Sequence, residues 1–244
     1  MDSTTKKGLS SFSLHIIAMV FMLCDHLWGT IIPGNDWLTC IGRLAFPIFA
    51  FMLVEGYFRT KNLKKYITRL IIFAVISEIP FNLMMGSRIF YPIHQNVLWS
   101  FIISIGLIHL NEKAKAKKNK ALQLITVIFT VLAGFILGLI TMVDFYHAGI
   151  LMVLVFYFFR KKTLFDRLCQ LFFLWYINVE ILGGFGYELE IFGKTFFLNR
   201  QGLAILSLIP IWLYNGKKGY SSQKLQYAFY AFYPLHMFIL SLLK

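Results

Sequence analysis

Residues 38–58 read LTCIGRLAFPIFAFMLVEGYF, and residues 9–32, just before them, read LSSFSLHIIAMVFMLCDHLWGTII. Each run is about as long as the ~20 apolar residues a helix needs to cross a bilayer, yet each carries ionisable side chains well inside it. An Asp or Arg at the centre of a membrane helix costs ~2.5–3.5 kcal/mol on insertion scales. Asp25, His26, Arg43 and Glu55, with Glu78 in the next run, are therefore expected to turn from lipid toward one another or toward a substrate.

Outward from these two runs, further apolar stretches cover 66–86, 96–111, 121–141, 147–159, 164–182, 198–214 and 226–243. The reading is an all-α polytopic integral membrane helical bundle of about nine transmembrane helices, forming a single domain over residues 1–244. Composition agrees, since 58% of the residues are hydrophobic, against the ~45–50% usual in soluble domains. The runs at 96–111 and 147–159 fall short of the ~17 residues a perpendicular span requires. The three cysteines, Cys24, Cys40 and Cys169, all lie within apolar runs and read as packing residues. The first run is too long for a signal segment and lacks a small-residue cleavage pattern, so it is expected to be retained as an anchor.

Cations gather in alternate loops: Lys6 and Lys7, then Arg59 to Arg69, Lys113 to Lys120, Arg160 to Arg167 and Lys217 to Lys224. By the positive-inside rule these loops are cytoplasmic, which puts the amino terminus inside and the carboxy terminus outside. The expected location is the inner (cytoplasmic) cell membrane, crossed many times, with the lipid bilayer as a partner. The formal charge of +13 sits in these short blocks rather than along one face, so no nucleic acid partner is expected.

On this topology the unusual polar residues crowd the outer half. Asp25 and His26 lie late in the outward first run and Arg43 early in the inward second, at similar depth. Glu78 and Asn82 end the third run one turn apart, and His94, Gln95 and Asn96 open the fourth. Asp144 and His147 flank the next outer turn, Asn178 and Glu180 end the seventh run, Arg200 and Gln201 open the eighth, and His236 sits within the last. Neighbouring side chains on a helix point ~100° apart, so Asp25 and His26 cannot address one point. His15 and His26 lie three turns apart, ~16 Å along the axis and nearly on one face, a spacing that could line a narrow passage. No H-E-x-x-H or C-x-x-C spacing points to a metal, and no G-x-S-x-G points to a serine nucleophile. A histidine general base is the most economical enzymatic reading. The polar residues also allow a proton-coupled secondary transporter, or a noncatalytic pilus or peptide assembly factor in which they lock helices. The strings Phe90 to His94 and Phe232 to His236 are alike over five residues, too few to make a repeat.

Five strings in order resemble the TraX family: Asp25-His26, Gly42 to Phe51 running into Val54-Glu55-Gly56, Ser77 to Phe81, His94 to Val97, and Phe232 to His236. The TraX protein of conjugative plasmids is associated with N-terminal acetylation of pilin. The resemblance implies an acyl-CoA-dependent transmembrane acetyltransferase, akin to the acyltransferase-3 proteins and the heparan glucosaminide N-acetyltransferase. Its donor would be cytosolic acetyl-CoA. Its acceptor would be an amine or hydroxyl at the outer side, on a peptide or pilin amino terminus, a sugar or a small molecule. On that reading His26 is the base and His236 the alternative. Asp25, Arg43 and Glu78 set the environment, Arg43 pairing with Asp25 or Glu78, while His94 and Asn96 donate hydrogen bonds. Arg59, Lys64, Lys65, Arg69, Arg160 and Lys161 would hold the CoA phosphates, with His15 at the inner mouth of the passage.

Overall fold

The structure, a computed structural model, describes residues 8–244 apart from the side chains of Leu189 and Ile191; Lys6 and Lys7 of the first basic block lie outside the described residues. The apolar runs named above are helical over most of their length. They form α1 (Ser11–Thr30), α2 (Asp36–Gly42), α3 (Ala45–Arg59), α4 (Leu63–Gly86), α5 (Val97–Ala116), α6 (Lys120–Ile140), α7 (Tyr146–Phe158) and α8 (Leu164–Trp175). A π-helical turn, Tyr176–Ile181, prolongs α8; a 3-10 segment, Gln201–Ser207, leads into α9 (Leu208–Trp212); and α10 (Gln223–Leu243) closes the chain. Ser10, Asn62, Asn96, Asn119, Thr163 and Ser222 start their helices by accepting an N–H of the first turn. Each thus satisfies a donor that the helix leaves unpaired.

Four stretches, Ser11–Thr30, Asp36–Arg59, Leu63–Gly86 and Lys120–Ile140, are long and apolar enough to cross a membrane. The apolar surface they leave outside the core, including Val20 on α1 and Ile125, Ile128, Leu132 and Ile136 on α6, is exposed as lipid-facing residues are. This is a membrane protein. The core lies instead around α3 and α7, where Ile48, Ala50, Ile150, Met152 and Val153 are fully buried. The run at 96–111, expected to be short, is part of a helix of 20 residues because Lys113 to Ala116 continue it.

The second run is broken. Pro47 has no N–H for the Arg43 carbonyl one turn back, and its ring crowds that carbonyl, so α2 stops at Gly42 and α3 restarts at Ala45. The all-α expectation also needs correction. Gly186–Ile191 (β1) and Lys194–Asn199 (β2) pair as an antiparallel hairpin in register Gly186↔Asn199 to Ile191↔Lys194. The two residues between the strands, Phe192 and Gly193, both take positive φ (51° and 70°), as a type I′ turn requires. Residues 198–200, read as the start of a span, therefore close the hairpin.

The elements run alternately between two ends of the bundle. At the basic end, Leu9 N–H donates to Leu213 O and Ser11 N–H to Lys217 O, both at 2.9 Å, and Arg59 Nη1 donates to Gly216 O at 2.7 Å. At the opposite, hairpin end, the 87–96 loop meets the 141–146 turn, where Gln95 N–H donates to Met142 O at 2.9 Å and Asp144 N–H to Gln95 O at 2.8 Å.

Candidate functional site

Helix breaks and one close helix approach build the site at the hairpin end. Gly42 lies against Asp25 so tightly that a Cβ there would stand 2.3 Å from Asp25 Cβ, bringing α1 and α2 into near backbone contact. Arg43, at the break, then turns its guanidinium onto the Asp25 carboxylate through Nη2. Thr39, fully buried one turn earlier, accepts from the same Nη2 at 2.9 Å and donates to Asp25 Oδ1 at 2.7 Å. Arg43 Nη1 donates to Gln201 Oε1 at 3.2 Å, and Gln201 Nε2 to Asn178 Oδ1 at 2.8 Å. Asn178 is buried in the π-helical turn and donates to Leu174 O at 2.8 Å. One hydrogen-bonded chain thus ties α1, the α2–α3 break, the 3-10 segment and the π turn, the irregular backbone that membrane proteins keep for cavities and sites. Beside it opens a cavity of about 330 Å³, lined by Arg43, His94, Asp144, Arg200, Gln201 and the Gly183–Gly184 turn.

Asp25 and His26 do point apart. His26 faces α10, where its Nδ1 lies 2.7 Å from His236 Nε2 with the rings nearly parallel (10°). His236 Nδ1 lies 2.7 Å from the Phe232 carbonyl, which can only accept, so that nitrogen carries the proton. In the neutral ring Nε2 then accepts, His26 Nδ1 donates to it, and the lone pair on His26 Nε2 is left available. A histidine oriented by a second group is the arrangement a general base needs.

Glu78 does not join Arg43. Its Oε1 accepts from the backbone N–H of Asn96 at 3.2 Å, from Asn96 Nδ2, and from Trp99 Nε1 at 2.7 Å. Asn96, fully buried, also caps α5 through Leu98 N–H and donates to Ala74 O at 2.9 Å. A carboxylate at the first turn of α5 is favoured by the helix dipole, so this group fastens α4 to α5. His94 Nε2 lies 3.3 Å from Asp144 Oδ1, and that hydrogen bond holds the imidazole above its ordinary pKa against the opposing pull of burial. The residues expected around one centre thus fall into three groups: Asp25 with Arg43, His26 with His236, and Glu78 with Asn96. His94 faces the cavity.

At the basic end, buried Glu55 accepts from Arg59 Nε at 3.0 Å and Arg160 Nε at 2.8 Å, and Arg160 also lies over the Phe58 ring. Lys64, Lys65 and Arg69 line a separate hollow of about 400 Å³ at the start of α4, and Lys161 is exposed. His15 Nδ1 contacts Ser11 O at 2.8 Å and its ring stacks on Phe229. Thr39, Trp99, Asn178 and Gln201 are the partners that sequence reasoning missed or left without a role. Among the described residues, no group of three or more His, Cys, Asp or Glu side chains is placed to hold a metal, and the three cysteines are free.

A family model described as TraX protein matches residues 10–244. The chain belongs to the TraX family. A relative of this TraX-family chain from Dichelobacter nodosus, described as probable fimbrial assembly protein FimC, serogroup H1, is 28% identical over 256 residues, covering 95% of this chain and 94% of its own length. No solved structure matches. The family match spans every group described above, from Asp25 to His236.

Proposed function

We propose that this TraX-family protein is a membrane factor in the assembly of a fimbria or pilus. The observation that carries this reading is the end-to-end similarity to a probable fimbrial assembly protein. The geometry supports it: Asp25–Arg43, Glu78–Asn96–Trp99 and Glu55–Arg59–Arg160 each join different helices, as polar locks do when they fix a bundle's packing. In this reading the bundle crosses the inner membrane nine times with the amino terminus in the cytoplasm, and the hairpin end faces outward toward the fimbrial subunit. A cysteine placed near Lys117 is then shielded from an impermeant thiol reagent in intact cells, and one near Gly184 is labelled. The test of function is deletion and complementation. Cells lacking the protein are expected to keep the subunit in the membrane and to carry few assembled fimbriae by electron microscopy. Normal fimbriation in the deletion strain overturns the reading.

One observation favours a second, enzymatic reading within the same process. The oriented His26–His236 pair suits transfer of an acetyl group from acetyl-CoA to the subunit's amino terminus or another amine or hydroxyl. His26 Nε2 would take the proton of the attacking group as the carbonyl carbon leaves the CoA sulfur, and Lys64, Lys65 and Arg69 would meet the CoA phosphates. Mass spectrometry of the subunit's amino terminus discriminates. Acetylation that falls by ~10²-fold in a stably folded His26→Ala protein supports transfer. Fimbriae that assemble normally on that variant, with an unmodified subunit in the wild type, leave the assembly reading alone.

A further inference from the structure

At the hairpin end Arg200 is a partly buried arginine whose guanidinium is left without a hydrogen bond. Its side chain is 17% exposed, yet its nearest carboxylate, Asp36 Oδ1, stands 3.8 Å away, beyond hydrogen-bonding distance. Among the described residues its guanidinium makes no hydrogen bond; its Cζ lies over the Trp28 ring, 4.6 Å from the centroid. A cation–π contact of this kind attracts the guanidinium to the ring without supplying a hydrogen-bond acceptor for its N–H groups.

The cavity that Arg200 lines offers more donors than acceptors. Arg43 also lines it, with Nη2 committed to Asp25 and Thr39, while Nη1 uses one proton on Gln201 and keeps a second. Asp144 is the single carboxylate in the lining, and its Oδ1 is engaged by His94 and by the Phe145 N–H at 3.1 Å. Asp25 accepts from Arg43 from outside the lining, while Asp36, also outside it, accepts from Trp28 Nε1 at 3.0 Å and only approaches Arg200. Gly183 and Gly184 form the facing wall with positive φ, and a Cβ at Gly184 would meet nothing within 4 Å, so this wall leaves room for a ligand. A partly buried arginine with idle donors in a membrane bundle is unfavourable unless an anion completes it.

We propose that the cavity between Arg43, Arg200 and the Gly183–Gly184 turn is an oxyanion-binding site, in which a carboxylate or phosphate group sits bidentate on Arg200 with a further hydrogen bond from Arg43. This goes beyond the assembly reading and does not depend on it, since binding is measured on the purified protein without a fimbrial subunit.

Protein in neutral phosphatidylcholine nanodiscs is melted with sodium phosphate or sodium succinate against sodium chloride at matched ionic strength, and separately in nanodiscs containing phosphatidylglycerol. The expected result is a saturable rise in melting temperature with at least one of these three. Phosphate or succinate acting alone indicates a soluble ligand, and phosphatidylglycerol alone a lipid headgroup. Arg200→Gln should weaken the apparent affinity by roughly tenfold or more, as loss of charge-assisted hydrogen bonds does. Arg88→Gln, which removes an exposed cation from the same end, should leave it unchanged. If Arg200→Gln does not fold, Arg200→Lys decides, because it keeps the charge and loses the planar fork. No shift in the wild type with any of the three, or a shift of wild-type affinity in the Arg200 variant that folds, overturns the site.

Discussion

Both ends of the bundle set arginines against carboxylates, and they do so to opposite effect. At the basic end Glu55 is met by Arg59 and Arg160, Arg59 is tied on to Gly216 O, and Lys162 Nζ donates to Tyr214 O at 2.9 Å. Helix ends and the 213–222 connection bring these groups together away from the hollow that Lys64, Lys65 and Arg69 line. At the hairpin end the helices are interrupted, by Pro47 after Arg43 and by the π turn at Asn178, and the same chemistry encloses a cavity. The charges are alike; what differs is the regularity of the backbone that carries them, and irregular backbone within a membrane bundle survives where it lines a cavity or is buried in protein.

The sharpest way to break this comparison is Arg43→Ala. It strands Asp25 among packed helices, and the expected loss is ~3–5 kcal/mol, read as a fall in thermal stability and monodisperse yield in detergent. Replacing both partners by Leu should recover most of it, since removal of a whole buried pair is often close to neutral. Gly42→Ala should cost ~1–3 kcal/mol, because the added methyl must push α1 from α2. At the basic end Glu55→Gln is expected to lose only about 1 kcal/mol and to be salt-sensitive, as Arg59 and Arg160 are 44% and 36% exposed and screened by solvent. A Glu55→Gln loss as large as that of Arg43→Ala would erase the distinction between the ends.

The smallest effect is pH-dependent. Asp144 raises the His94 pKa above its ordinary 6.5, so the contact contributes its full stability below that value and loses it as pH climbs through the raised folded-state pKa. Melting temperature measured from mildly acidic to mildly alkaline pH should therefore fall across that window in the wild type. The slope should flatten in His94→Gln; an identical slope would remove His94 from the account.

Much of the architecture was legible because length and apolarity alone fix where a membrane chain can be helical, and each apolar run is so over most of its length. The Asp25–Arg43 pair was legible for a related reason: two opposite charges at matching depth in consecutive runs have few other partners. The hairpin carried its signal in the alternation of Tyr187, Glu188, Leu189 and Glu190 and in Phe192-Gly193, but the apolar Phe196 to Leu198 drew the eighth run too far toward the amino end. Glu78 was misjudged because its partners are a helix cap and an indole, Asn96 and Trp99, neither of which advertises charge. The His26–His236 contact joins positions 210 residues apart, and nothing local in a single sequence encodes such a pairing.

The Asp25–Arg43 contact also bears on how the chain enters the membrane. The two residues are 18 positions apart, on consecutive apolar stretches that are each long enough to cross a membrane and are joined by a short loop. Inserted singly, each pass would carry a net charge into hydrocarbon at ~2.5–3.5 kcal/mol. Inserted as a helical hairpin, the pair is neutralised before either helix is released. The pairing predicts that the two stretches insert as one unit: a nascent chain cut before Arg43 should be integrated poorly by the translocon, and one extended through α3 should be integrated efficiently.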